Sequence, residues 1–229
     1  MSDRLAIILP AAGESARFGG GRNKLLELLA GRTVLEWSAA AFLSRQDVSQ
    51  LIIATRHADA IRSGLGAAAN DPRVEIVSGG ACRAQSVQAA LSHVKKEIEW
   101  VAVHDAARPL VSKALIDSVL LAARQHGAAA PAMPVALTVK QATGPLPAKV
   151  EKTVPRSSLW AMQTPQIAKR AQLIEAFDAC PIPMEQITDD MQVLELAGHP
   201  VWLVTGEERN LKITTAIDLD TAKLILAAR

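Results

Sequence analysis

One repeated alternation constrains this chain most: a short apolar run, a turn of small residues, then a stretch with helical spacing. Residues 5–9 run into Pro10 and a glycine-bearing loop. Residues 51–55 form a second run, 74–77 end at Gly79-Gly80, and 100–104 form a fourth. Apolar runs of this length without polar alternation fit strands buried on both faces, the condition of a parallel sheet. Between them, residues 33–45 place Leu35, Ala39, Phe42 and Leu43 on one face, and residues 83–96 do the same with Val87, Ala90, Leu91 and Val94. Ser112 is positioned to cap a helix whose face is Leu115, Ile116, Val119, Leu120 and Ala123, with Gly127 just past its end. The alternation predicts an α/β layered fold with a mostly parallel sheet and right-handed crossovers.

The rhythm breaks over residues 128–166, which hold Pro131, Pro134, Pro145, Pro147, Pro155 and Pro165. Two β-like pieces, at 137–140 and 149–154, interrupt the prolines. We read the segment as a protruding hairpin or arm, because a structureless loop this long is uncommon in a compact domain unless it is functional or disordered. The alternation then resumes, with helical stretches at 169–179 and 188–197 and a strand at 200–204. Thr215 and Asp218 form a capping-box pattern before a last helix.

Composition narrows the function. Lys and Arg number 25 against 23 Asp and Glu, a net charge of +2, so no single-sign field large enough to hold nucleic acid is expected. Tyrosine is absent and aromatics are 3%, which disfavours base-stacking platforms. The two cysteines, Cys82 and Cys180, build neither a disulfide framework nor a four-cysteine zinc site, so a reducing, cytoplasmic setting is expected. The apolar runs fall far short of the roughly 20 residues that span a bilayer, and the one at 5–9 is too short for a signal peptide.

The chemistry is concentrated where strands end. The first strand runs straight into Pro10-Ala11-Ala12-Gly13, where backbone N–H groups can approach an anion closely. The loop is neither G-x-G-x-x-G nor a Walker A sequence, which argues against an NAD-dependent oxidoreductase and against P-loop hydrolysis. Arg17 and Lys24 follow, separated by Gly19-Gly20-Gly21, so the chain can fold back and bring both cations to one site. Two positive charges over a polyphosphate are what nucleotidyl transfer needs. Residues 78–87 make a second strand-to-helix turn with Gly79, Gly80, Arg83 and Ser86. Residues 103–109 put Asp105 at the end of the fourth strand, and residues 206–214 put Lys212 after the last one. Ligands of open α/β sheets bind beyond the carboxyl ends of the strands, so these segments should converge on one crevice.

Taken in order, Pro10-Ala-Ala-Gly13 with Arg17 and Lys24, Ser78-Gly-Gly with Arg83 and Ser86, His104-Asp-Ala-Ala-Arg-Pro109, Gln163-Thr-Pro-Gln166, Thr188-Asp-Asp190 and Asn210-Leu-Lys-Ile-Thr214 resemble the 2-C-methyl-D-erythritol 4-phosphate cytidylyltransferase family of the non-mevalonate isoprenoid pathway. The resemblance spans residues 5 to about 220. It implies one nucleotidyltransferase domain over 1–229, Rossmann-like and GT-A-like, with a dimerisation arm at about 136–158. It also implies a homodimer that joins CTP to the polyol phosphate and releases pyrophosphate, with Mg²⁺ present on ligands the sequence leaves unknown. By the same resemblance Pro10, Ala11, Ala12, Gly13, Gly79, Gly80, Arg83 and Ser86 would hold CTP, with Asp105, Ala106 and Arg108 beside them. Arg17 and Lys24 would stabilise the transition state. Arg156 and Lys212 would position the acceptor phosphate, and Asp105, Thr138, Thr164 and Thr188 would line its pocket. The arm would reach the neighbouring subunit.

Two residues depart from the family pattern: Leu137 stands where an aspartate usually precedes the threonine, and Ile167 where an aromatic tends to follow Thr-Pro-Gln. Ribitol 5-phosphate is the competing acceptor, and a non-catalytic nucleotide-binding regulator the competing class. Other conspicuous residues have plain structural readings. His104 is read as a hydrogen-bonded structural histidine, Cys82 as a small loop residue and Cys180 as a bystander. Asp189-Asp190 are read as first-turn acids behind a Thr188 cap, and Trp160 and Trp202 as core or interface.

Overall fold

The computed structural model describes residues 4–13, 18–19 and 21–228. Its strands in chain order are β1 (Leu5–Pro10), β2 (Leu28–Leu29), β3 (Arg32–Thr33), β4 (Val48–Thr55), β5 (Val74–Ser78), β6 (Trp100–Val103), β7 (Ala128–Pro134), β8 (Val139–Ala142), β9 (Val150–Val154), β10 (Trp160–Met162), β11 (Gln166–Lys169) and β12 (Trp202–Thr205). Its α-helices are α1 (Val34–Leu43), α2 (Ala58–Gly64), α3 (Arg83–Leu91), α4 (Lys113–His126), α5 (Arg170–Asp178), α6 (Asp190–Leu196) and α7 (Ala216–Ala227).

The run from Leu5 to Leu9 is 0% exposed throughout, because β1 has a parallel partner on each side, β4 and β6. Successive side chains of a strand point to opposite faces. Leu5, Ile7 and Leu9 therefore pack with Leu35, Phe42, Leu115 and Ile116 of α1 and α4, while Ala6 and Ile8 pack with Val87, Leu91, Phe177 and Met191 of α3, α5 and α6. β5 adds parallel to β4, and β11 lies antiparallel between β6 and β7. β10 pairs antiparallel with the far end of β7, and β12 runs parallel on the opposite edge of β7. The carboxyl ends of β1, β4, β5 and β6 thus share one rim.

Local chemistry sets the helix starts. Thr33 caps α1 by accepting from the Glu36 N–H, Ser112 caps α4 through Leu115, and the Thr215–Asp218 capping box opens α7. Gly127 ends α4 at a φ of 95°, a left-handed region that suits glycine.

Three expectations need correction. The irregular segment is not all arm: residues 128–134 form β7, buried inside the sheet through Ala132, and only β8–β9 make the separate antiparallel hairpin. Pro131 lies opposite the break between β10 and β11, where a missing ladder N–H costs least. α3 stops at Leu91 rather than continuing to residue 96. Asp189, not Thr188, caps α6 by accepting from Gln192 N–H. Trp160 and Trp202, expected in the core or at an interface, are half-exposed within this chain, at 50% and 49%. Trp202 lies on the His126 ring with centroids 3.8 Å apart.

Candidate active site

The loop after β1 is fixed by its neighbour. Ala11 N–H donates to Ala54 O at 2.8 Å, Thr55 Oγ1 donates to Ala11 O at 3.3 Å, and Arg56 Nη2 donates to Ala12 O at 3.1 Å. The loop after β5 sits directly against it. Gly79 N–H donates to Thr55 O at 2.8 Å, and a Cβ at Gly79 would stand 2.7 Å from the Ala12 Cβ and 3.2 Å from the Thr55 nitrogen. Only glycine lets the two turns approach this closely. Gly80 N–H donates to Ser86 Oγ at 3.1 Å, and that hydroxyl donates to Cys82 O at 2.9 Å. Cys82 caps α3, its Sγ accepting from Gln85 N–H at 3.5 Å. These bonds hold the α3 N-terminus at the rim.

Between the turns lies a cleft of ≈ 580 Å³. Pro10, Ala11, Ala12 and Gly13 line one wall, and Gly80, Arg83 and Ser86 line another. Asp105 and Ala106 form part of its floor, and Lys24 and Lys212 reach it from separate loops. Lys24 opens a short 3₁₀ turn (Lys24–Leu26) whose start is capped by Asn23 and whose Leu25 is buried. It also draws on the Asp218 carboxylate of the α7 capping box.

The floor is a buried charge cluster. Asp105 Oδ2 receives Lys212 Nζ at 3.0 Å and Arg108 Nε at 3.2 Å, and Oδ1 receives Arg83 Nε at 3.4 Å. Burial pushes this carboxyl up, but Arg83, Lys212 and Arg108 outweigh burial and hold it well below the usual carboxylate range. Asp105 is therefore an anion at working pH and an anchor for cations, not a proton carrier. His104 beside it is fully buried. Its Nε2 lies 3.0 Å from Arg108 O, so it donates there, and Nδ1 accepts from Thr164 Oγ1 at 3.1 Å. Thr164 Oγ1 in turn accepts from Asp105 N–H at 3.0 Å. Burial lowers the His104 pKa to about 4, which keeps the ring neutral. His104 is a structural link, as its sequence context implied.

The remaining expected residues fall into three groups. Gly79, Arg108 and Thr164 stand behind the cleft wall and hold what lines it. Thr188 is exposed just before α6, and Thr138 and Arg156 are exposed on and beside the arm; none of the three lines this cleft. Arg17 lies outside the described residues.

Sequence reading missed several contributors. Arg56 lines the cleft directly after β4, where the same strand-end rule would have found it. Gln163 and Asn210 brace the Lys212 loop: Asn210 Nδ2 donates to Thr164 O at 2.8 Å, and Arg108 Nη1 donates to Asn210 O at 2.7 Å. Asp190 was read as a first-turn acid. It does open α6, but it is also fully buried and receives Arg83 Nη2 at 2.7 Å, a pairing across 107 residues that no local pattern signals.

A model of the 2-C-methyl-D-erythritol 4-phosphate cytidylyltransferase family matches residues 5–228. A protein of that name from Gloeobacter violaceus is 39% identical over 96% of this chain and 95% of its own. Another from Symbiobacterium thermophilum is 40% identical over 97% of this chain and 92% of its own. The crystal structure of the Francisella tularensis enzyme of that name superposes with a TM-score of 0.83 at 30% identity, covering 96% of this chain and 99% of that one.

Proposed function

The chain belongs to the 2-C-methyl-D-erythritol 4-phosphate cytidylyltransferase family, and on that premise we propose that it transfers the cytidylyl group of CTP to 2-C-methyl-D-erythritol 4-phosphate, releasing pyrophosphate. One observation carries the reading from geometry to chemistry: Arg83 and Lys212, gathered on the buried Asp105, and Lys24 from a third loop all face one glycine-walled cleft.

The reaction suits that arrangement. A phosphate monoester oxygen of the acceptor attacks the α-phosphorus of CTP, and the bond to the bridging oxygen breaks as pyrophosphate leaves. The nucleophile is already anionic at neutral pH, since its second pKa is about 6, so no general base is needed. The obstacle is electrostatic, an anion approaching an anionic centre, and fixed cations address it without reorganisation. Lys24 is the cation we assign to charge that develops at the α-phosphate, and the family resemblance gives Arg17 the same role. Pro10, Ala11, Ala12 and Gly13, with Gly80, Arg83 and Ser86, form the nucleotide walls. Lys212 serves the acceptor phosphate.

Thr138 and Arg156 lie away from their own cleft, and the hairpin that carries Thr138 pairs only with itself among the described strands. That placement supports a homodimer in which the arm of one subunit completes the acceptor site of the other. Mg²⁺ belongs to the reading as well. The described residues include no group of three carboxylate, histidine or cysteine side chains to cage it, and Asp105 is already taken by three cations. The described residues thus offer no cage for the ion, which would arrive on the triphosphate oxygens, as is usual for this metal.

A pyrophosphate-release assay with CTP tests the proposal. Turnover with 2-C-methyl-D-erythritol 4-phosphate well above that with ribitol 5-phosphate is expected. Saturable CTP binding without turnover on either acceptor would refute it.

A further inference from the structure

Arg83 is held between two buried carboxylates. Its Nε meets Asp105 and its Nη2 meets Asp190 at 2.7 Å. The Arg83 side chain is 26% exposed, towards the cleft, whereas the Asp190 side chain is 0% exposed. Two of the guanidinium's five N–H donors are used this way, which leaves donors for a ligand. Asp105 is shared with Arg108 and Lys212, so it cannot orient Arg83 alone.

Asp190 is itself fixed. Its N–H donates to Gln166 Oε1 at 2.9 Å, and Gln166 Nε2 donates to Asp189 Oδ2 at 2.9 Å. Its second oxygen, Oδ1, is buried with no hydrogen-bond partner. A buried acid with one oxygen unsatisfied costs stability, and its pairing with Arg83 is the compensation. Helix capping does not require it, because Asp189 already caps α6. Asp190 also follows Thr188 by two residues, so it ties the segment assigned to the acceptor to a cation of the nucleotide wall.

We propose that Asp190 is a positioning residue for nucleotide binding: it orients Arg83 into the cleft and links the start of α6 to the α3 wall. The inference rests on the proposed function, because it takes the cleft to be the CTP site. Asp190 touches no substrate and acts only through Arg83.

The test is a double-mutant cycle read by calorimetric CTP binding, with pyrophosphate release measured in parallel. Asp190→Asn keeps the shape and removes the charge. It is expected to raise the CTP dissociation constant about tenfold or more, the scale for breaking a buried charge pair. The same change in an Arg83→Ala background is expected to add little. An Asp190→Asn constant within twofold of the parent, or an equal increase in both backgrounds, overturns the inference. If Asp190→Asn does not fold, Asp190→Glu, which keeps the charge but displaces it, is judged by the same criteria. A parent chain that binds CTP but turns over no polyol phosphate would sink the reaction assignment and leave this cycle readable. A parent that binds no CTP would overturn both.

Discussion

The rim of the sheet and the arm are built on opposite physical principles. At the rim, Asp105, Arg108 and His104 are buried, bonds reach loops about 100 residues further along the chain, and Arg83, Arg108 and Lys212 share the Asp105 carboxylate. On the arm, β8 and β9 pair with each other, Leu137 and Leu146 are 80% and 88% exposed, and Arg156 donates to the Ala136 carbonyl nearby. The rim is preorganised within one chain. The arm carries expected functional residues away from this chain's own cleft, a placement that the proposed homodimer would account for.

Lys24→Ala breaks the rim side of that comparison hardest. If Lys24 meets charge that develops during the reaction, the variant loses about 10²–10³ in kcat while CTP binding changes little. Single-turnover kinetics beside calorimetry separate the two. A kcat within threefold of the parent would remove Lys24 from the chemistry.

Mixing subunits tests the arm side. Arg156→Ala and Lys24→Ala chains are each expected to be nearly inactive alone. After unfolding and joint refolding, half of the dimers are mixed, and each mixed dimer holds one site with both residues intact. Activity should recover to about a quarter of the parent. No recovery would mean that arm and cleft of the same chain work together.

Much of this was legible in the sequence, for a physical reason. Strands buried on both faces must be apolar along their whole length, so 5–9, 51–55 and 100–104 were visible as runs, while the edge strand at 74–77 admits Glu75; the rim follows from where the four end. Local hydrogen bonds were equally readable: Ser112, Gly127 and Thr215–Asp218 do what their spacing implied. β7 was hidden because Ala128 to Ala130 carry little β propensity and Pro131 and Pro134 argue against a strand. Asp190 was hidden because its partner is 107 residues away, and a first-turn acid explains itself locally.

The rim also holds a buried titratable group, and the arm does not. The folded-state pKa of His104 is about 4 against an ordinary 6.5, so between those values the unfolded chain binds more protons. Stability is then full above pH 6.5 and falls as pH drops towards 4, by about 3 kcal/mol over the window. Asp105 shifts the same way but at lower pH, because its folded value lies below the usual carboxylate range. Urea unfolding at pH 7 and pH 4.5 measures the slope. His104→Gln should flatten it, and an unchanged slope in that variant would place the titration elsewhere.

The smallest effect belongs to the arm's own tip. Leu146 and Leu9 are the same residue type at opposite extremes, 88% and 0% exposed. Truncating a buried leucine typically costs 2–5 kcal/mol, because transfer energy is lost and a cavity is left. At Leu146 neither contribution exists within one chain, so Leu146→Ser should change the unfolding free energy of the dilute chain by no more than about 0.5 kcal/mol. Urea titrations at low protein concentration read this directly. A cost above about 1 kcal/mol in the dilute chain would mean that the tip is already packed within a single copy, and the contrast between a self-sufficient rim and an arm that needs a partner would fail where it is easiest to measure.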